Sequence, residues 1–180
     1  FDQDRLYNNN RDGTFTEVGR ARGLIDLDRQ GSVVSIAWGD YDNDGFLDVY
    51  LGKYYFANDF YANVGDGTFR QINDVGLGDS RDAKDVSWCD YDNDGDYDLS
   101  ISGDNVTYAG GGIVPETKFY KNDPVGSLVL DRALSDPIED SSAGVRRGAM
   151  AWGDYDGDGA VDLALSGRLW NSEISLTLYR

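Results

Sequence analysis

Apolar residues recur at every second position in short runs along the chain, and each run stops at a cluster of Asp and Gly. Val34, Ile36 and Trp38 make the first run, with Ser35 and Ala37 between them. Val86 and Trp88, then Met150 and Trp152, repeat its end. Beyond each acidic cluster alternation resumes with Leu47, Val49 and Leu51, with Tyr97, Leu99 and Ile101, and with Val161, Leu163 and Leu165. Period-two alternation bounded by Gly and Asp predicts half-buried strands joined by tight acidic loops. No helical period stands out, and only Ala21 to Asp28 has room for one short helical turn.

The clusters are copies of one another. Trp38-Gly39-Asp40-Tyr41-Asp42-Asn43-Asp44-Gly45 returns as Trp88-Cys89-Asp90-Tyr91-Asp92-Asn93-Asp94-Gly95, and again as Trp152-Gly153-Asp154-Tyr155-Asp156-Gly157-Asp158-Gly159. The first Asp advances by 50 residues and then by 64. A second landmark, Leu6-Tyr7, Phe60-Tyr61, Phe119-Tyr120 and Leu178-Tyr179, spaces its tyrosines by 54, 59 and 59 residues. The chain thus reads as a single repeat region over 1–180 with periods of approximately 7–60, 61–119 and 120–179.

Asp12-Gly13-Thr14-Phe15 and Asp66-Gly67-Thr68-Phe69 give hairpin signals after the tyrosine landmark, whereas the third copy has Asp123-Pro124-Val125-Gly126. About four strands in each period of roughly 50–60 residues predicts an all-β chain of propeller-type blades, each with about four antiparallel strands. Insertions account for the uneven spacing. One is Asp104 to Lys118, with Gly110-Gly111-Gly112, read as a long flexible loop or ligand surface; the other is Asp131 to Arg147.

Charge and composition then narrow the chemistry. Thirty-three acidic against sixteen basic residues leave a formal charge of −17, which repels nucleic acid and anionic membrane surfaces. Bound cations would supply the compensation that such an excess needs. No histidine is present, which removes His-dependent triads and His-ligated zinc. Cys89 is the one cysteine, so no intrachain disulfide forms. No run is long enough for a membrane span, and Phe1-Asp2-Gln3-Asp4 does not read as a signal peptide.

In the first cluster Asp40, Asp42 and Asp44 alternate with other residues, Gly45 turns the chain sharply, the carbonyl of Phe46 can point inward, and Asp48 closes the shell. The second cluster offers Asp90, Asp92, Asp94, the carbonyl of Asp96, and Asp98; the third offers Asp154, Asp156, Asp158, the carbonyl of Ala160, and Asp162. Carboxylates and a carbonyl are hard oxygen donors, and calcium takes about six to eight of them in flexible geometry. Magnesium wants a tighter octahedron, and transition metals want nitrogen or sulfur. The reading is therefore three calcium sites. A metal-free acidic turn is the alternative, and it would leave four like charges crowded together. An EF-hand would need an acid at the twelfth loop position, where Leu51, Ile101 and Leu165 stand.

These motifs resemble the FG-GAP/VCBS-type repeat of integrin α-subunit propellers and of many secreted bacterial proteins. The resemblance rests on Asp-x-Asp-x-Asp-Gly-x-x-Asp, the preceding Trp-Gly, and the Leu/Phe-Tyr-x-Asn with Gly-Asp-Gly-Thr-Phe. It implies calcium bound through the positions just named. The Phe-Gly and Gly-Ala-Pro signature is missing, which favours the bacterial-like branch and argues against integrin ligand specificity. It also implies a ring of about seven blades, more than the periods present here, so a longer chain or several copies would complete the array.

The remaining candidates are local. Cys89 replaces Gly39 and Gly153 and reads as a small buried residue; Trp38, Trp88 and Trp152 read as core, and Tyr41, Tyr91 and Tyr155 as packing over a neighbouring blade. Tyr54, Tyr55 and Phe56 are aromatic without clean alternation beside Asn58 and Asp59, which suits sugar stacking as well as hairpin core. Asn105-Val106-Thr107 fits the N-glycosylation pattern at Asn105. The function expected is an extracellular, secreted or cell-surface, non-catalytic module that binds carbohydrate or protein. The alternatives are a filament or surface layer built by self-association of the repeat ends, and an accessory part of a secreted polysaccharide-degrading enzyme. Glu17, Glu116, Glu139 and Glu173 share no motif, which argues against carboxylate-pair catalysis.

Overall fold

A computed structural model describes residues 5–24, 32–54, 56–73, 77, 83–106, 113–139, 145–169 and 173–179. Strands dominate, in antiparallel sheets whose neighbours in space are neighbours in sequence. A two-stranded ribbon pairs β1 (Tyr7–Asn9) with β2 (Phe15–Glu17). The first four-stranded sheet runs β3 (Ser32–Gly39), β4 (Asp48–Tyr54), β5 (Asp59–Asn63) and β6 (Phe69–Ile72). The second runs β7 (Ala83–Cys89), β8 (Asp98–Val106), β9 (Ile113–Asn122) and β10 (Leu128–Leu130). In the third, β11 (Arg146–Gly153), β12 (Asp162–Arg168) and β13 (Ile174–Tyr179) make three strands among the described residues. The sheets are propeller-like blades, and no sheet closes on itself.

Register is the same in all three blades. Each acidic loop joins the first two strands, and its flanks pair as Gly39↔Asp48, Cys89↔Asp98 and Gly153↔Asp162. The tyrosine landmark lies in the third strand, pairing Val49↔Tyr61, Leu99↔Tyr120 and Leu163↔Tyr179. A register shift interrupts the first strand pair at one matching place, between Val33 and Ser35, Ala83 and Asp85, and Arg146 and Ala149.

The cores lie between blades. Every residue of β4 from Asp48 to Lys53 is buried because both faces of this strand are covered. Val49 and Leu51 pack with Leu24, Leu6 and Phe69 on one side, while Tyr50 joins Phe60, Val86, Leu99 and Ile101 on the other. The second interface gathers Phe119, Met150, Leu163, Leu165, Tyr91 and Trp152. Polar clasps reinforce the stack at the irregular pair: the Val86 N–H donates to Ser35 Oγ at 3.2 Å, and the Met150 N–H donates to Asp85 Oδ2 at 2.7 Å.

The tryptophans face the preceding blade. Trp88 packs on Phe60 with ring centres 6.0 Å apart, and Trp152 stacks on Tyr91 at 6.0 Å. Tyr91 thus packs against the next blade, as its loop position suggested. Trp38 differs: it is 45% exposed, and Val34 and Ile36 beside it are exposed too, so the expected core role fails in the first copy. At the other end Ile174 and Leu176 are the most exposed large apolar residues, with Tyr155 and Leu178 also open.

Two expectations are corrected. The Asp131–Arg147 insertion holds an α-helix, α1 (Arg132–Glu139). Asp131 caps it, its Oδ1 accepting the N–H groups of Ala133 and Leu134 at 2.9 and 3.2 Å. Ser135 is buried against β9, where its Oγ accepts the Phe119 N–H at 3.1 Å. The Asp104–Lys118 insertion is a continuation of a hairpin, with pairs running to Val106↔Ile113; residues 107–112, including Gly110-Gly111-Gly112, lie outside the described residues. The short turn placed at Ala21 to Asp28 is a 3₁₀ turn over Arg20–Arg22, and residues 25–31 lie outside the described residues.

Matched glycines test the blade stacking. A Cβ on Gly39 would sit 2.5 Å from the Trp88 ring, whereas one on Gly153 would meet nothing within 4 Å. Gly39→Ala is expected to destabilise by about 1–3 kcal/mol through overpacking, and Gly153→Ala by less than about 0.5 kcal/mol. Denaturant unfolding of the two variants checks this, and equal losses would contradict it.

Candidate metal centres

Each acidic loop is wound by its own first carboxylate. In the first, Asp40 Oδ1 accepts the Asp44 N–H at 3.1 Å and Oδ2 accepts the Gly45 N–H at 2.9 Å. Asp90 does the same for Asp94 and Gly95 at 3.1 Å each, and Asp154 for Asp158 and Gly159 at 3.2 and 3.0 Å. The curl requires left-handed backbone at two positions. Gly45, Gly95 and Gly159 have φ near +90°, at 89°, 98° and 92°. Asn43, Asn93 and Gly157 adopt 55°, 59° and 78°, which Asn and Gly tolerate best.

The closing Asp is the buried one. Asp48 Oδ2 accepts the Tyr41 N–H at 2.9 Å, and its Oδ1 accepts the Asn63 N–H of β5 at 2.8 Å. Asp98 repeats this with Tyr91 at 3.2 Å and Asn122 at 2.9 Å, and Asp162 accepts the Tyr155 N–H at 3.0 Å. Burial raises the Asp48 and Asp98 acids to about 6, against the N–H bonds that lower them. Asp162 is raised by burial and then by Asp158 and Asp154, and Asp42 by burial and then by Asp44.

Carboxylate oxygens converge in all three loops. Asp40, Asp42 and Asp48 each place one within 4.8 Å of the others, as do Asp90, Asp92 and Asp94, and Asp154, Asp156 and Asp162. Asp44, Asp98 and Asp158 flank these trios in the same loops. Phe46, Asp96 and Ala160 occupy the last bend before the closing strand. A donor set made only of carboxylate and carbonyl oxygen fits a hard divalent cation. Protons are the alternative occupants, and the raised acids show that the fold pushes these groups toward neutralisation of one kind or the other.

Other candidates are placed as follows. Tyr54 lies under the Lys84 ammonium, 3.7 Å from the ring centre, and Phe56 is partly exposed in the β4–β5 connection. Tyr55 lies outside the described residues. Asn105 is in β8, its backbone paired with Val114. Burial, then Asp90 and Asp98, raise the Cys89 thiol to about 11, which leaves it protonated and unreactive near neutrality. Glu17 accepts the Gly19 N–H at 2.7 Å and Glu116 pairs with Lys118 at 2.7 Å.

Sequence reasoning passed over three further groups. Asp96 was read for its carbonyl alone, yet its side chain is buried and raised to about 6, first by burial and then by Asp94. Lys121 reaches into the second loop, where its ammonium contacts Asp92 and lies 3.8 Å from Asp94. Lys53 is fully buried and paired with Asp59 at 2.6 Å. Only Asp96 carried a signal, an acid where the other copies have Phe and Ala.

Residues 1–51 match the family model described as an FG-GAP-like repeat, so the chain carries a repeat of that type. Among similar proteins is cartilage acidic protein 1 of Homo sapiens, 27% identical over 164 residues, which cover 89% of this chain and 24% of that protein. The Xenopus tropicalis and Mus musculus proteins of that name are each 26% identical over the same shares. The chain therefore spans about a quarter of the length of these relatives, 24% in each case.

The closing acids set a pH dependence. In the ion-free fold Asp48 and Asp98 keep their protons to about 6, against 3.8 as the ordinary value, so across that window the folded chain binds more protons than the unfolded one. Their contribution is complete below 3.8 and lost as pH rises through about 6. Asp12 and Asp66, lowered by Thr14 and Thr68, pull the other way, but they sit in solvent where screening weakens them. The melting temperature of the protein in excess chelator should therefore fall between roughly pH 4 and pH 7. Circular-dichroism melts check this, and a rise over that range would contradict it.

Proposed function

We propose that this chain, as a carrier of FG-GAP-type repeats, is an extracellular module whose blades are held by calcium and which binds a carbohydrate or protein partner without catalysis. The observation that carries the reading is the threefold convergence of carboxylates beside a buried closing Asp, each time on one register. In each loop the calcium ligands are three alternating aspartates, the carbonyl at the loop mouth and the closing aspartate. The ion supplies the positive charge that lets these groups stay ionised at neutral pH. The protein's part is to hold them at the ends of a rigid strand pair.

Location follows from affinity. Sites of this kind in extracellular modules saturate at millimolar calcium, while resting cytosol would leave them largely empty. The cartilage named in the similar proteins supports the same placement. Among the described residues no helix is long and apolar enough to cross a membrane. Tyr54, Tyr55 and Phe56 remain the candidate ligand surface, and a glycan array is the direct search for a sugar partner.

Calcium titration of the stripped protein by calorimetry should count three ions. Saturation should raise the melting temperature by well over the several degrees equivalent to about 1 kcal/mol. Asp42→Ala should remove one ion and leave two. An unchanged melting temperature in millimolar calcium would overturn the reading.

A second reading, end-to-end stacking of copies, is favoured by the open apolar faces. Trp38 with Val34 and Ile36 forms one end, and Tyr155, Leu176 and Leu178 form the other. These are the same two surfaces that meet inside the chain where Trp88 packs on Phe60. Head-to-tail contacts of this kind build open arrays when the rotation does not close. Sedimentation should then show association that Trp38→Ser abolishes, and a monomer at all concentrations would rule it out.

A further inference from the structure

The three acidic loops are not equivalent, and the difference lies in a lysine from a strand well outside the loop. Lys121 is in β9, one residue before Asn122, the residue whose N–H binds the closing Asp98. Its ammonium contacts the Asp92 carboxylate and lies 3.8 Å from Asp94 Oδ2. The matching residue of the first blade, one before Asn63, is Ala62, a buried core residue with no charge to offer; in the third copy it is Arg180, which lies outside the described residues.

The middle loop also holds an acid that the others lack. Asp96 stands where Phe46 and Ala160 stand, and it is 9% exposed. Among the described residues its Oδ1 has no hydrogen-bond donor. It lies against Asp94, within reach of the same carboxylates that Lys121 approaches. Counting side chains, the first loop carries four acids, whereas the middle loop carries five acids and one ammonium, the same formal charge. Lys121 thus brings to the middle loop a positive charge that Ala62 cannot bring to the first.

We propose that Lys121 is a tethered counter-ion that competes with calcium at the middle loop, so that this site fills after the first and its blade depends less on the metal. The proposal rests on the calcium reading above. Two of the carboxylates a calcium ion would use are already engaged by an ammonium, which must be displaced or held beside a like charge when the ion enters. Without calcium the ammonium remains and holds Asp92 and Asp94 together. An ion pair with two partly exposed carboxylates corresponds to a weakening of up to about fivefold.

The test is calcium titration of the whole chain by calorimetry, with Lys121→Met, which keeps the apolar stem, beside it. The chain should show the middle site up to about fivefold weaker than the first, and Lys121→Met should tighten one site by about that factor. A second readout separates charge from packing. Lys121→Met should lower the melting temperature in chelator and leave it equal or higher in saturating calcium, whereas lost packing would lower both. Three equal sites in the unaltered chain would overturn the proposal, as would affinities unchanged by the substitution or a loss of stability equal in both conditions. Absence of calcium binding in both chains would sink the calcium reading itself.

Discussion

Asp48 sits at the root of its loop with one oxygen on the N–H of Tyr41 and the other on the N–H of Asn63, so one buried carboxylate ties loop, second strand and third strand together. Asp98 does the same in the second blade. Two backbone donors do not discharge a full negative charge taken out of water, and the acid rises to about 6 in spite of them. The other acids of the loop converge on this buried charge with their own. Each loop thus gathers several carboxylates at the root of its strand pair, a charge that a bound cation would offset.

Stacking of blades solves a separate problem. The central strands β4 and β8 are buried on both faces, which a single sheet cannot achieve. Trp88 lies on the surface left open by Gly39, and polar clasps from Ser35 and Asp85 satisfy the neighbouring N–H groups. Loop and stack meet at Asn122. Its side chain donates to the Tyr41 carbonyl of the first loop at 2.7 Å and to the Tyr97 carbonyl of the second at 3.1 Å. Its own N–H holds Asp98. Disturbance of one loop is therefore felt by the next blade through a defined bond and not only through bulk packing.

The acidic loops, their flanking strands and their repetition were legible because each is written in consecutive residues: alternation at period two, Asp at every second position, Gly at the left-handed corner. What the sequence hid was relational. The Trp positions look identical, yet Trp38 is open and Trp88 is covered, because burial depends on whether a blade lies in front. Lys121 and its loop acids are far apart in sequence, so no local pattern links them. The helix α1 is only eight residues long and contains Pro137, too short for a periodic signal, and Asp131 as its cap was the one cue available. The long hairpin after Asp104 was masked by its glycines, which read as a loop.

Metal and stacking act in series, and the geometry shows why. All the acids that converge in a given loop belong to that loop, so an ion there would hold a single strand pair and would not bridge two blades. The interfaces between blades are apolar, with Phe119, Met150, Leu163 and Leu165 in one and Phe60, Leu99 and Ile101 in the other. Loss of the ion should loosen the curl first and reach the stack only through groups that belong to both, such as the Tyr41 carbonyl and Asn122. In an array where each unit touches only its neighbours, stability is close to a sum over units and interfaces. A cation in every loop, as proposed, would then stabilise each unit separately.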